Sequence, residues 1–353
     1  MTVPPGAEAP PALTVHARRR RYAQLGLGLA ISAALIWWTF RLTDWDASWQ
    51  FIVSANWGWM AVAVLLATIP FPLRIPRWKV LLRREDGSPL GAGPLWHAIA
   101  MGFAANNVLP LRAGEFIRIG AVSRLGKVPI ATALSSVAVE RVLDVLAAAG
   151  LLSVALVLGG VDPNLTLTEG GVPLSRVAFT VGALGTTVLT VAGLAAWQSA
   201  LALRVARWAL PGNRAGDTLY HVVERLLSGL SALRRPSTAI PALGWSLVIW
   251  VCNGTAFYAA FAAFGFEIPY SGAFVLQGAL IIGIAIPSSP GYVGVFEAAI
   301  AGTLAALYGV PFAAGFAYGL SYHVTTFVPI ILLGAFSAVV TGFRRGAPES
   351  EAD

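Results

Sequence analysis

Apolar residues fall in long unbroken runs along this chain. The runs are Tyr22–Phe40, Trp57–Leu73, Leu95–Leu109, Pro129–Leu158, Val177–Trp197, Ile240–Phe264, Ala273–Ile286, Val293–Tyr308 and Phe312–Val340. A helix that crosses a bilayer needs about 20 apolar residues, so most of these runs predict spans. A β-barrel is disfavoured, because its strands would alternate at period two. Two runs are short and stop on turn-forming residues. Leu95–Leu109 ends in Asn106-Asn107-Val108-Leu109-Pro110, and Ala273–Ile286 is followed by Pro287-Ser288-Ser289-Pro290-Gly291. Both sequences break a helix.

The polar stretches between the runs set an orientation. Arg18–Arg21 precede the first run. Arg74, Arg77, Lys79, Arg83 and Arg84 fill one connector, and Arg112, Arg118, Arg124 and Lys127 fill another. Arg204, Arg207, Arg214, Arg225, Arg234 and Arg235 fill a third, and Arg344-Arg345 follow the last run. These hold 21 of the 24 basic residues, whereas the other connectors hold only Arg41 and Arg176 beside five acids. The positive-inside rule then puts both termini in the cytoplasm. The first run follows a basic cluster as a signal peptide does, but Trp37-Trp38 reads as an interfacial belt and the run as a retained span.

Parity adds a further expectation. Residues 74–93 and 112–127 are both basic, so Leu95–Leu109 must enter and leave on one side. It reads as one arm of a re-entrant hairpin over 94–126, with a second hairpin over 272–308 on the outer side. The chain thus reads as an all-α polytopic membrane protein of two inverted repeats. It has about six full transmembrane helices plus two re-entrant helical hairpins, with repeats at 22–158 and 175–341. A basic tail precedes them at 1–21 and a second tail follows at 342–353. The stretch 198–239 carries Leu201, Val205 and Trp208 at helical spacing among arginines, as an interfacial amphipathic helix does. Inverted repeats whose broken helices meet near midplane are a transporter architecture.

Composition narrows the class. Of 353 residues, 57% are hydrophobic and 12% charged, about half the charge of an ordinary globular domain. That leaves too little polar surface for a soluble enzyme. The net charge of +7 would suit a nucleic-acid binder, but the arginines lack the aromatic interleaving and soluble scaffold of one. The lone Cys252 excludes an intrachain disulfide and a cysteine metal cluster. His16, His97, His221 and His323 show no metal-ligand spacing, so no metal and no cofactor is expected.

Charges inside a membrane are expensive and mark candidate sites. Glu140, Arg141 and Asp144 share one span. Arg112, Glu115 and Arg118 lie in the first hairpin, and Glu297 in the second. At each tip unwound backbone and a helix N-terminus offer N–H donors to an anion. Arg112 adds a planar fork suited to phosphate. Asn106, Asn107, Ser288, Ser289 and Gly291 complete the expected headgroup contacts, with Arg141 as a second anion contact. Structural readings stand beside these. Glu115 and Glu297 are placed to cap their helices, Arg112 to snorkel, and Glu140, Arg141 and Asp144 to form a salt bridge within or between helices. His323 reads as a polar residue lining a cavity or as a proton relay.

Three motifs in order carry a resemblance. They are Asn106-Asn-Val-Leu-Pro-Leu-Arg-Ala-Gly-Glu115 with Arg118, Val139-Glu140-Arg141-Val-Leu-Asp144, and Pro287-Ser-Ser-Pro-Gly-Tyr-Val-Gly-Val-Phe-Glu297. Together they resemble the flippase-like membrane domain of lysylphosphatidylglycerol synthases, over about 22–341. The resemblance implies movement of a lipid between leaflets. The chain stops about a dozen residues after its last span, so aminoacyl transfer is not expected of it, nor is it expected to be an enzyme. The expected substrate is a phospholipid or polyprenyl-phosphate carrier whose phosphate enters a central polar cavity. Glu115, Arg118, Glu140, Asp144, Glu297 and His323 would shape that cavity or couple it to protons. The resemblance also implies a homodimer and a separate lipid or glycan synthase as partners, and a bacterial or archaeal cytoplasmic membrane as location. Two alternatives are a secondary transporter of a small anion and a membrane partner of a synthase that moves nothing.

Overall fold

The computed structural model describes residues 37, 41, 43–109, 113–159, 176, 187, 198–213, 216–217, 220, 223–224, 234–285 and 290–342. Among these the chain is helical apart from its connections and one isolated bridge, Arg83 to Pro89. The expected spans at 22–40 and 177–197, and both terminal tails, lie outside the described residues.

Helix α1, Trp45–Ser54, starts where Asp44 accepts the Ala47 N–H. Helix α2, Trp57–Thr68, starts where Asn56 accepts the N–H groups of Gly58 and Trp59. Short polar side chains take these roles because the first turn of a helix has no internal acceptors. Helix α3, Pro70–Leu81, follows after one residue. The interruption falls at a proline, which has no N–H to donate. Ile69 keeps helical angles, so α2 and α3 run on as 25 residues, Trp57–Leu81.

Helices α4, Ala92–Val108, and α5, Gly114–Gly126, form the first short pair and pack on one another. Their approach depends on missing side chains. A Cβ on Gly114 would collide with the Gly102 carbonyl. Helix α6, Ile130–Val157, has 28 residues, about 42 Å of rise. Helix α7, Ser199–Ala209, buries none of its residues. Leu201, Val205 and Trp208 are exposed on it beside Arg204 and Arg207.

Helix α8 is Pro236–Ala263, with proline in the first turn where its missing N–H costs nothing. Helices α9, Tyr270–Ala285, and α10, Val295–Tyr308, form the second short pair, with a 3₁₀ turn at Pro290–Tyr292 before α10. Helix α11, Phe312–Val340, has 29 residues. Among the described residues, three helical stretches are long and apolar enough to cross a membrane: Trp57–Leu81, Pro236–Ala263 and Phe312–Val340. Helix α6 has the length too, but Glu140, Arg141 and Asp144 make it more polar.

Two large apolar cores form among the described residues, beside two small ones. One is held by Trp78, Leu95, Ile99, Ile119 and Val122 from α3, α4 and α5. The other gathers Met60, Phe257, Phe261, Phe296, Tyr318 and Tyr322 from α2, α8, α10 and α11. The helix contacts come in matched sets. α4 packs on α11 and α9 packs on α6; α5 packs on α6 and α10 on α11; α3 packs on α4 and α8 on α9. Helix α8 lies against both α2 and α3. Small residues make the α4–α11 contact close, since a Cβ on Gly334 would meet Ala104 and the Ala100 carbonyl.

Candidate functional site

The densest polar chemistry lies where α3, α5, α6 and α8 meet. Arg77 of α3 is fully buried. Its Nη2 is 2.5 Å from Glu140 Oε1, and its Nη1 is 2.6 Å from Asp144 Oδ1. The same Nη1 donates to Ser246 Oγ at 3.1 Å. Arg118 of α5, also buried, donates two parallel bonds of 2.8 Å to the two oxygens of Glu140. Its guanidinium lies 3.9 Å above the Trp78 ring, while Trp78 itself donates to Ser136. Trp250 of α8 donates to Asp144 Oδ1 at 3.0 Å.

Arg141 is the accessible member. Its side chain is 43% exposed and lies 3.2 Å from both Glu140 and Asp144. It also reaches Glu115 at 3.6 Å, at the start of α5. The fixed charges of this network therefore run from a dry interior to a rim beside the first short helix pair. The interior pairs are worth keeping only as a set. Removing one partner leaves an uncompensated charge, which costs about 3–5 kcal/mol.

Arg74 and Arg77 were expected among orientation charges of a connector. The structure corrects this: both lie within α3 and are buried. The helix continues past the apolar run because carboxylates from α6 receive Arg77. Arg74 and Arg77 are three residues apart, as are Arg141 and Asp144, so each pair shares a helix face. The signal in the sequence was the excess of acid over base at Glu140 and Asp144. Two carboxylates in one span with a single arginine call for cations from elsewhere.

The second polar centre joins α10 to α11. Glu297 and His323 are both buried. Glu297 Oε2 accepts the Gly294 N–H at 2.7 Å, capping α10. Its Oε1 meets His323 Nδ1 in a short bond. The imidazole stacks on Phe296, with ring centroids 4.2 Å apart, and meets Phe327 edge-on.

Between the two centres the short helix pairs come together. The 3₁₀ turn Pro290–Tyr292 packs on α4. Gly291 has φ +69°, and a Cβ there would stand 2.8 Å from the Asn107 carbonyl. Glycine is needed for both the conformation and the space. Asn106 Oδ1, Asn107 Nδ2 and Glu115 Oε2 are buried here without a hydrogen-bond partner among the described residues. Arg112, Ser288 and Ser289 lie outside the described residues.

An apolar groove of about 540 Å³ begins beside this meeting point, between α4, α5 and α11. Ala104, Ala105, Val108, Ile331, Ala335 and Val339 line it. Its volume is that of a small-molecule site. The groove and the buried charges lie on different faces of α4. Ala104, Ala105 and Val108 face the groove, while Phe103 faces Arg74.

Long apolar helices around a buried ionic network make this an all-helical integral membrane protein. The chain belongs to the lysylphosphatidylglycerol synthase TM region family, whose model matches residues 26–334. It is 30% identical over 336 residues to the Glycosyltransferase AglD of Haloferax volcanii, covering 88% of this chain and 53% of that protein. The chain thus spans about half the length of that relative. It is 28% identical to a UPF0104 membrane protein of Methanothermobacter thermautotrophicus, over 92% of this chain and 94% of that one.

Proposed function

We propose that the protein moves an amphiphile with an anionic phosphate head, a phospholipid or a polyprenyl-phosphate carrier, from one leaflet to the other. The observation that carries this reading is the pairing of two surfaces at one place. Unpaired amide and carboxylate atoms of Asn106, Asn107 and Glu115 stand at the meeting point of the short helix pairs. The apolar groove runs beside them, lined by Ala104, Ala105 and Val108 of the same helix. A head and a tail need such neighbours. A small water-soluble anion has no use for the groove.

The matched helix contacts support two inverted repeats with the short pairs as re-entrant hairpins. Helices of 13 to 17 residues reach only part of a bilayer about 30 Å thick. In this reading both termini lie in the cytoplasm of a cell membrane. Arg112 with Asn106, Asn107, Ser288, Ser289 and Gly291 hold phosphate, and Arg141 meets it at the rim. Glu115, Arg118, Glu140, Asp144, Glu297 and His323 shape the cavity or couple it to protons. The lipid moves without change to its covalent bonds, and the protein works as a homodimer. A second reading, a membrane partner of a glycan synthase that moves nothing, takes its support from the name of the Haloferax relative.

The test is a leaflet assay on purified protein in liposomes with labelled lipids. Movement of anionic phosphate lipids is expected in the wild type and loss of most of it in Arg112→Ala and Glu297→Gln. Unchanged movement in both variants would sink the residue assignment. No movement of any lipid by the wild type would favour the partner reading.

A further inference from the structure

The ionic network carries more cation than anion, and the surplus sits on Arg74. This residue lies one turn before Arg77 on α3 and is 9% exposed. Its guanidinium carbon stands 4.6 Å from the Phe103 ring, so one flat face is covered by an aromatic ring. The edge, where the N–H groups point, is free of the ring. The Nε–H is buried without an acceptor, and Arg74 forms no ion pair with a described carboxylate. Asp144 and Glu140 are instead paired with Arg77, Arg118 and Arg141.

The shortage extends through the cluster. The Nε–H groups of Arg77, Arg118 and Arg141 are also buried without acceptors. Four arginines, Arg74, Arg77, Arg118 and Arg141, stand against three described carboxylates, Glu115, Glu140 and Asp144. In a low-dielectric interior an unmatched cation and unmatched donors are each costly. One kind of ligand would relieve both. A tetrahedral oxyanion brings negative charge and several acceptor oxygens, and the arginine fork fits phosphate in particular. Entry is available at the rim, where Arg141 is 43% exposed and Glu115 24%.

The geometry points to a phosphate-binding seat at Arg74, entered past Arg141, in which the phosphate supplies the charge that the network lacks. It rests on the translocation reading only for the phosphate's belonging to a lipid. Arg74 is then a headgroup contact buried in a full-length span, apart from both helix tips. Arg77 and Arg118 remain structural partners of Glu140 and Asp144.

The experiment is thermal unfolding of the purified full chain in detergent micelles, with added phosphatidylglycerol, phosphatidylcholine or inorganic phosphate. Wild type is expected to be stabilised by phosphatidylglycerol more than by phosphatidylcholine. Arg74→Met should need about tenfold more phosphatidylglycerol for the same shift. Its lipid-free melting temperature should equal or exceed the wild type's, because an uncompensated cation has been removed. Arg74→Lys should retain more of the shift than Arg74→Met. Stabilisation by phosphatidylglycerol alone assigns the seat to a lipid head, and equal stabilisation by inorganic phosphate assigns it to a free anion. An undiminished shift in Arg74→Met overturns the seat. So does an Arg74→Met protein that fails to fold or melts well below wild type without lipid, because the charge would then be a structural partner. A wild type that moves no lipid in liposomes yet keeps the Arg74-dependent shift sinks the translocation reading alone.

Discussion

Two buried polar centres do the same structural job with different chemistry. In each, the second helix of a short pair is tied to the long helix that follows it. Arg118 of α5 grips Glu140 of α6 through two parallel bonds between fixed charges. Glu297 of α10 meets His323 of α11 through one short bond. An arginine–carboxylate fork stays charged and aligned at any ordinary pH. The first centre is therefore a two-bond fork between fixed charges, whereas the second rests on one short bond to an imidazole. The first also draws in α3 and α8 through Arg77, Ser246 and Trp250. The second is walled by Phe296 and Phe327.

This contrast is open to attack by substitution. The largest effect is expected from Arg118→Met, which strands a buried carboxylate and should cost about 3–5 kcal/mol, read as a fall in melting temperature in detergent. Glu297→Gln keeps the size of the side chain and weakens two hydrogen bonds, so about 1–3 kcal/mol is expected by the same measurement. Equal losses in the two variants would remove the distinction between a two-bond fork and a single short bond. Gly291→Ala should cost about 1–2 kcal/mol from its left-handed backbone, with added crowding at Asn107. It should disturb both short helix pairs at once, visible as faster amide exchange in α4 and α10 together. The smallest effect on stability, within about 0.5 kcal/mol, is expected from Ala335→Phe on an exposed position. That variant fills the apolar groove, so lipid movement should fall while the melting temperature holds. Full movement with a filled groove would detach the groove from transport.

Much of the helical layout was legible in the sequence. The runs at 129–158, 240–264 and 312–340 appear as α6, α8 and α11 within a few residues, because uninterrupted apolar length has little other outcome. The end of α4, at Val108 just before Pro110 in the sequence, and the turn at Pro290–Tyr292 were legible too, since proline and glycine act locally. What hydropathy alone hid was the role of Arg74 and Arg77. An arginine at the end of an apolar run looks the same whether it enters water or turns inward to a carboxylate 67 residues away, as Arg77 does to Asp144. The Glu297–His323 pair was half legible. The acid stood out as an intramembrane charge, but its partner is 26 residues away on another helix, a distance that no local spacing encodes. Gly291 was expected as a backbone donor. Its contact with Asn107 needs both short pairs folded, which no single motif reports.

That contact at Gly291 has a mechanical meaning. The two short pairs touch through an α-carbon on one side and a main-chain oxygen on the other, with no side chain interposed. At this point the two pairs lie backbone to backbone, like two bearing surfaces with no gasket between them. The contact has no flexible group to absorb a push, so a shift of either tip is passed to the other.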